Sequence, residues 1–150
     1  MLTMPSDLVW EAIKRGLDAG VARQFPVACA ILDGSSRVCG IVRHQDAGWL
    51  TVQFAEGKAR LASAFHVSTG PMFARLQKER PLYGATLAGL NGHNEWVLAE
   101  GGAPLLLKDS QGREQCVGAV GVAGCFPATT DQEVADEVAS WLVQQLAALG

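Results

Sequence analysis

Charge is scarce in this chain. Asp, Glu, Lys and Arg make up only 18% of its 150 residues, against roughly 25% in an average globular domain. Twelve basic and fifteen acidic residues leave a net charge of −3, and no run of Lys or Arg stands out. A nucleic-acid partner therefore has no electrostatic footprint. Long apolar runs are missing as well. The unbroken ones are a few residues long, well short of the roughly 20 that span a membrane. Residues 1–7 hold no basic stretch followed by an apolar one, so no secretory leader is read there. The expected location is the cytoplasm. Cys29, Cys39, Cys116 and Cys125 form no C-x-x-C pair, which leaves out zinc-ribbon and thioredoxin-like chemistry. They are expected as free thiols, with Cys125, beside a glycine-rich turn, the most accessible. No Ser-His-Asp order or P-loop occurs, and Gly118-x-x-Gly121 lacks the G-x-G-x-x-G spacing of a dinucleotide site.

What remains is one domain over 1–150, with no linker, repeat or low-complexity stretch. Hydrophobic residues reach 49%, enough to build a core without cross-links. So few charges leave much surface uncovered, and part of it is expected to be buried against copies of the same chain. Ser6 reads as the cap of a first helix, with Leu8, Val9, Ala12, Ile13 and Leu17 on one stripe and Gly20 as its stop. Val27 to Leu32 and Arg37 to Arg43 read as a hairpin around Asp33-Gly34. A second helix spans Leu50 to Phe65. Gly57 inside it costs up to about 1 kcal/mol, and a close backbone approach would account for it. Met72 to Lys78 reads as a short helix and Pro81 to Asn94 as a loop with room for a helical turn. Glu95 to Ala99, Leu105 to Lys108 and Glu114 to Val122 read as strands. Thr130 and Glu133 form a capping box for a last helix over Asp131 to Ala148. The order predicts an α+β fold, an antiparallel sheet of about five strands flanked by helices.

Three segments resemble the GlcG/HbpS-like (haem-degrading-domain) family, which is similar to the PduO C-terminal domain. They are Phe54 to Thr69, with its Lys58-Ala59 and closing Thr69; Gly101-Gly102-Ala103-Pro104; and Val117 to Gly124 followed by Asp131 and Ala135. Val27 to Asp33 resembles the family's first strand. Arg43 and Asp46 match its hairpin exit. Ala123 stands where many relatives carry Ser. The resemblance covers nearly the whole chain and implies a profilin-like α/β/α sandwich, homo-oligomers, and haem or another tetrapyrrole as ligand. It also leaves open an enzyme acting on a small carboxylate or aromatic metabolite, or an accessory protein that handles a cofactor.

The ligand-binding set on these readings is Arg43, Asp46, Lys58, His66, Thr69, Gly101, Gly102, Pro104 and Gly121. The glycines could expose backbone N–H groups to an anion, or merely permit a strand crossing. Lys58 could meet an anionic ligand, or snorkel beside Glu56. His44 and Glu100 could move a proton, and His66 or His93 could ligate iron or another metal. Asp131 reads first as a helix-start charge. Trp49, Tyr83 and Trp96 could line a pocket for a flat ligand, while Trp10 and Trp141 read as core or interface.

Overall fold

The computed structural model describes residues 3–90 and 96–150. Nine elements follow in the order α1 (Ser6–Ala22), β1 (Ala28–Asp33), β2 (Val38–Arg43), α2 (Thr51–Phe65), α3 (Thr69–Glu79), α4 (Pro81–Gly89), β3 (Gly102–Lys108), β4 (Glu114–Ala123) and α5 (Ala128–Ala148). The sheet is antiparallel throughout, with strand order β2-β1-β4-β3. Helices α1 and α5 cover one face and α2 the other. This is the expected three-layer α/β/α sandwich.

The two faces are built from different residues, and strand alternation sorts them. Val27, Cys29 and Ile31 point with Val120 and Val122 into the main core under α1 and α5, where Val134, Val138 and Leu142 close it. Each such fully buried side chain contributes about 1.5–3 kcal/mol. On the opposite face Ala28, Ala30, Leu32, Ala119 and Ala123 meet Ala55, Ala59 and Ala62 of α2. Apart from Leu32, the fully buried groups that separate the layers there are small. A Cβ on Gly121 would lie 1.8 Å from the Ala55 carbonyl oxygen, and one on Gly102 2.3 Å from that of Lys58. The alanine stripe of α2 thus does what its spacing suggests. Gly57 has the expected reason too: the segment after residue 95 crosses it, with Val97 Cγ2 2.5 Å from where a Cβ would sit.

Four expectations are corrected. The sheet has four strands, not about five, because Trp96–Ala99 lies outside it and β3 starts at Gly102; Glu95 lies outside the described residues. Pro81–Gly89 is a helix rather than a loop, started by Pro81 in its first turn, where the missing N–H costs nothing. Ser6 does not cap α1: Pro5 holds the cap position, and the helix runs two residues past Gly20. The Thr130–Glu133 capping box is not formed either. Pro127 sets the helix start at Ala128, so Thr130 already lies inside the first turn.

Both sheet edges are modified. On β2 the register slips so that Cys39 has no partner on β1. On β3 the outward Gly102 N–H donates to Thr69 Oγ1 (2.8 Å), its carbonyl accepts from Gln132 Nε2 (2.9 Å), and Pro104 follows without an N–H.

Gly121→Ala should therefore destabilise the fold by about 3 kcal/mol or more, since neither backbone can yield. Gly89→Ala, with nothing within 4 Å, should be neutral or gain up to about 1 kcal/mol. Urea unfolding of the two variants beside the parent checks both; equal midpoints would refute the close-packing account.

Candidate functional site

The family-like residues converge, but on a closed polar node. Lys58, 4% exposed, reaches across from α2 to Asp131, 2% exposed, at the start of α5. Its Nζ donates to Asp131 Oδ2 (3.0 Å) and to the Val122 carbonyl (3.1 Å). Asp131 Oδ1 accepts the Cys125 N–H (2.8 Å). Beside it Gln132 Oε1 accepts the N–H groups of Gly70 and Gly101 (2.8 Å each). Gln132 Nε2 donates to Asp136 Oδ1 (2.9 Å) as well as to Gly102. Thr69 is fully buried. Gly101 has φ +122° with the Val122 carbonyl 2.5 Å from an added Cβ, so the position demands glycine. No buried side-chain nitrogen or oxygen among the described residues lacks a partner.

This changes the reading of four residues. Lys58 does not snorkel beside Glu56; Glu56 pairs with Arg60 (2.9 Å). Gly101, Gly102 and Gly121 do not border an open nest, because α2, Thr69 and Gln132 fill the space. The node ties α2, α3, the β3–β4 pair and α5 into one unit. Gln132 escaped the sequence reading; a glutamine near a helix start looks like ordinary solvated surface, and only the fold brings three backbone groups from two segments to it.

The other candidates are scattered. Arg43 donates to the Ala47 carbonyl. His44 Nδ1 accepts the Asp46 N–H (3.1 Å), which puts the proton of the neutral ring on Nε2. Glu100 borders a groove with Glu133 and Asp136. His44 and Glu100 thus belong to opposite edges of the sheet, about 14 Å apart at ~4.8 Å per strand, and form no acid–base pair. Pro104 borders a shallow groove with Ser68 and Ala139. His93 lies outside the described residues. Among the described residues no three His, Cys, Asp or Glu side chains gather as a metal site.

The aromatic residues also disperse. Trp49 is 73% exposed on the turn before α2, and Trp96 donates its indole N–H to the Leu87 carbonyl (3.1 Å). Trp10 is exposed rather than core. Trp141 is half-buried, with the Arg15 guanidinium 4.4 Å from its ring centre. Tyr83 lines a cleft, together with Phe65. That cleft, about 390 Å³, lies between the end of α2, α3 and α4 and is walled by Phe65, Val67, Met72, Leu76 and Tyr83, with Arg75 and Arg80 among its lining. Its volume falls in the roughly 300–1,000 Å³ range of small-molecule sites. Between Phe65 and Val67 in the chain stands His66, exposed, with φ 56° and ψ 34° at the end of α2. A non-glycine residue held left-handed costs about 1–2 kcal/mol. Its backbone N–H donates to Ala62, and its imidazole has no partner among the described residues.

Cys125 was expected to be the accessible thiol and is not: it is buried, while Cys39 is exposed. Burial first, then a hydrogen bond to the Asp131 carboxylate, push the Cys125 thiol up to about 12. Burial alone takes Cys29 to about 12.

A three-layer sandwich with this topology is a profilin-like domain. More narrowly, the sequence family described as haem-degrading protein HbpS-like matches residues 4–140, and the chain belongs to it. Comparison with curated proteins gives no match. Several solved structures share the fold. Protein ORFY of Klebsiella pneumoniae superposes with a TM-score of 0.79 at 20% identity, over 96% of this chain and 92% of that one. A double mutant of Streptomyces reticuli HbpS gives 0.76 at 20% identity, over 95% and 88%. PduOC in complex with haem gives 0.72 at 23% identity, over 93% and 94%. No helix among the described residues is long and apolar enough to cross a membrane.

Two outcomes follow. Lys58→Met should cost about 3–5 kcal/mol, because it strands Asp131 as a buried unpaired charge; urea unfolding measures this, and a loss under about 1 kcal/mol would mean the pair is dispensable. Partial burial first, then Asp33, raise the Cys39 thiol too, but Cys39 is exposed whereas Cys29 and Cys125 are buried and pushed up to about 12. A thiol reagent at pH 8 should modify Cys39 in the folded protein, and reach Cys29 and Cys125 only after denaturation.

Proposed function

We propose that the chain is a haem- or tetrapyrrole-binding protein that works as a homo-oligomer in the cytoplasm. The observation that carries the ligand reading is the cleft beside His66. Its walls are apolar and aromatic, as a flat macrocycle requires, and two guanidinium groups offer partners for carboxylates. His66 is the described histidine whose imidazole is uncommitted, and its left-handed backbone ends α2. His66 is not itself in the lining but stands in the chain between Phe65 and Val67, which are; on this reading its imidazole would hold the iron and the cleft would hold the ring. Bound haem would supply the redox and oxygen chemistry of its own iron. The haem complex of PduOC, a protein of the same fold, supports the choice.

Support for self-association comes from the surface. Trp10, Trp49, Leu50, Phe54 and Phe126 are all exposed, more large apolar surface than a monomer with so few charges covers well. The four thiols are free, as suits a reducing compartment. Sedimentation at micromolar concentration should show a species larger than one chain; a monomer would end the oligomer part.

Haemin titration should give a saturable Soret band. His66→Gly should alter or abolish that band while raising stability by about 1 kcal/mol, because glycine relieves the left-handed strain. His44→Ala should leave the band unchanged. A parent protein with no saturable band would end the tetrapyrrole reading.

A further inference from the structure

We infer that Arg80, assisted by Arg75, is a carboxylate clamp that restricts the cleft to flat apolar ligands carrying free carboxylates. This rests on the cleft being the ligand site proposed above, and adds which ligands it accepts. Arg80 is the single residue between the end of α3 and the start of α4. Its guanidinium carbon lies 4.6 Å from the Tyr83 ring centre. Stacking on an aromatic face fixes the plane of a guanidinium and leaves its edge N–H groups for a planar anion. Among the described residues no carboxylate lies within ion-pair distance of Arg80. Arg75 differs. Its Nε sits 3.4 Å from Glu79 Oε2, one turn along α3, and both side chains are mostly exposed. That pair is weak, yet it offsets one of the two charges, so Arg80 is the stronger element.

The remainder of the lining explains why a clamp is needed. Phe65, Val67, Met72 and Leu76 make no demand beyond apolar surface. Apolar contact alone discriminates poorly between similar ligands, whereas a buried or stacked polar partner rejects those that lack its complement. The carboxylates of the ligand are therefore the group that the site can read. Arg80 is itself solvent-exposed, so its discrimination rests on geometry: stacking on Tyr83 pre-sets the guanidinium for a bidentate bond, the form in which an exposed pair keeps its strength.

The test is a set of absorbance and fluorescence titrations with haemin, its dimethyl ester, protoporphyrin IX and 2-naphthoate. The parent protein should bind haemin and metal-free protoporphyrin IX, and the ester about tenfold more weakly or worse. Arg80→Gln should weaken the free acids about tenfold and leave the ester unchanged, so that the acid-to-ester ratio falls towards one. Arg75→Gln should shift the ratio in the same direction by less. That ratio is internal to each variant and does not depend on how much protein is folded. If acids and ester bind equally to the parent, or Arg80→Gln keeps the ratio, the clamp is overturned while haemin binding by the parent keeps the tetrapyrrole reading alive. If haemin does not bind but 2-naphthoate does, with sensitivity to Arg80→Gln, the clamp stands and the tetrapyrrole reading falls. Binding of neither overturns both.

Discussion

Helix α2 and strand β4 approach until a carbonyl oxygen of one occupies the place of a side chain on the other: Ala55 against Gly121. Interiors pack as densely as organic crystals, so this contact sets the height of the whole layer. It explains why that face is built from alanine and glycine, while the opposite face is built from valine, leucine and isoleucine. It also explains why Lys58 can cross from α2 to the Val122 carbonyl and the Asp131 carboxylate. With a bulkier layer between them, the ammonium would fall short.

The polar node then settles how the remaining helices attach. Hydrophobic layers can slide; a buried ion pair with fixed hydrogen-bond partners cannot slide without exposing an unpaired charge. Asp131 and Gln132 hold the start of α5 against the loop before it and against the opening of β3. Gln132 and Thr69 also fix the beginning of α3. The cleft beside His66 is bounded by α3 and α4, so its shape depends on a node whose buried side-chain groups are all bonded within the protein. Family-like motifs and candidate ligand cleft are therefore neighbours with separate tasks, one holding the framework and the other open to solution.

Much of the architecture was legible in the sequence. Long periodic segments such as Thr51–Phe65 announce their type, and the stripe of Ala55, Ala59 and Ala62 announces close packing. Helix starts were less legible, because Pro5 and Pro127 set them through fixed backbone angles while Ser6 and Thr130 offered the more familiar signal. Helix α4 was missed because Gly84 and Gly89 look like a loop; Pro81 and packing of Leu87 against Leu61 and Leu76 override them. The candidate site was least legible. Lys58, Gly101 and Gly102 carry the motif, and the motif is equally compatible with a pocket and with a locked crossing. Only the third dimension decides, since it shows Thr69 and Gln132 already occupying the backbone groups a ligand would need. Tyr83 was readable as a pocket residue, but Arg75, Arg80 and Met72 are ordinary surface residues in one dimension and become a lining only when α3 and α4 fold back on each other.

The treatment of the sheet edges has a consequence for heritable change. An assembly joined by a shared backbone ladder is largely indifferent to side-chain identity, and mutation alters it slowly. Here the unpaired Cys39 interrupts one edge, and Thr69, Gln132 and Pro104 blunt the other, so the backbone offers no continuous ladder to a second copy. Association through exposed side chains such as Trp49 and Phe54 would not draw on that ladder. Its strength would be encoded residue by residue, so that a few surface substitutions would change the number of subunits while the fold beneath stays the same.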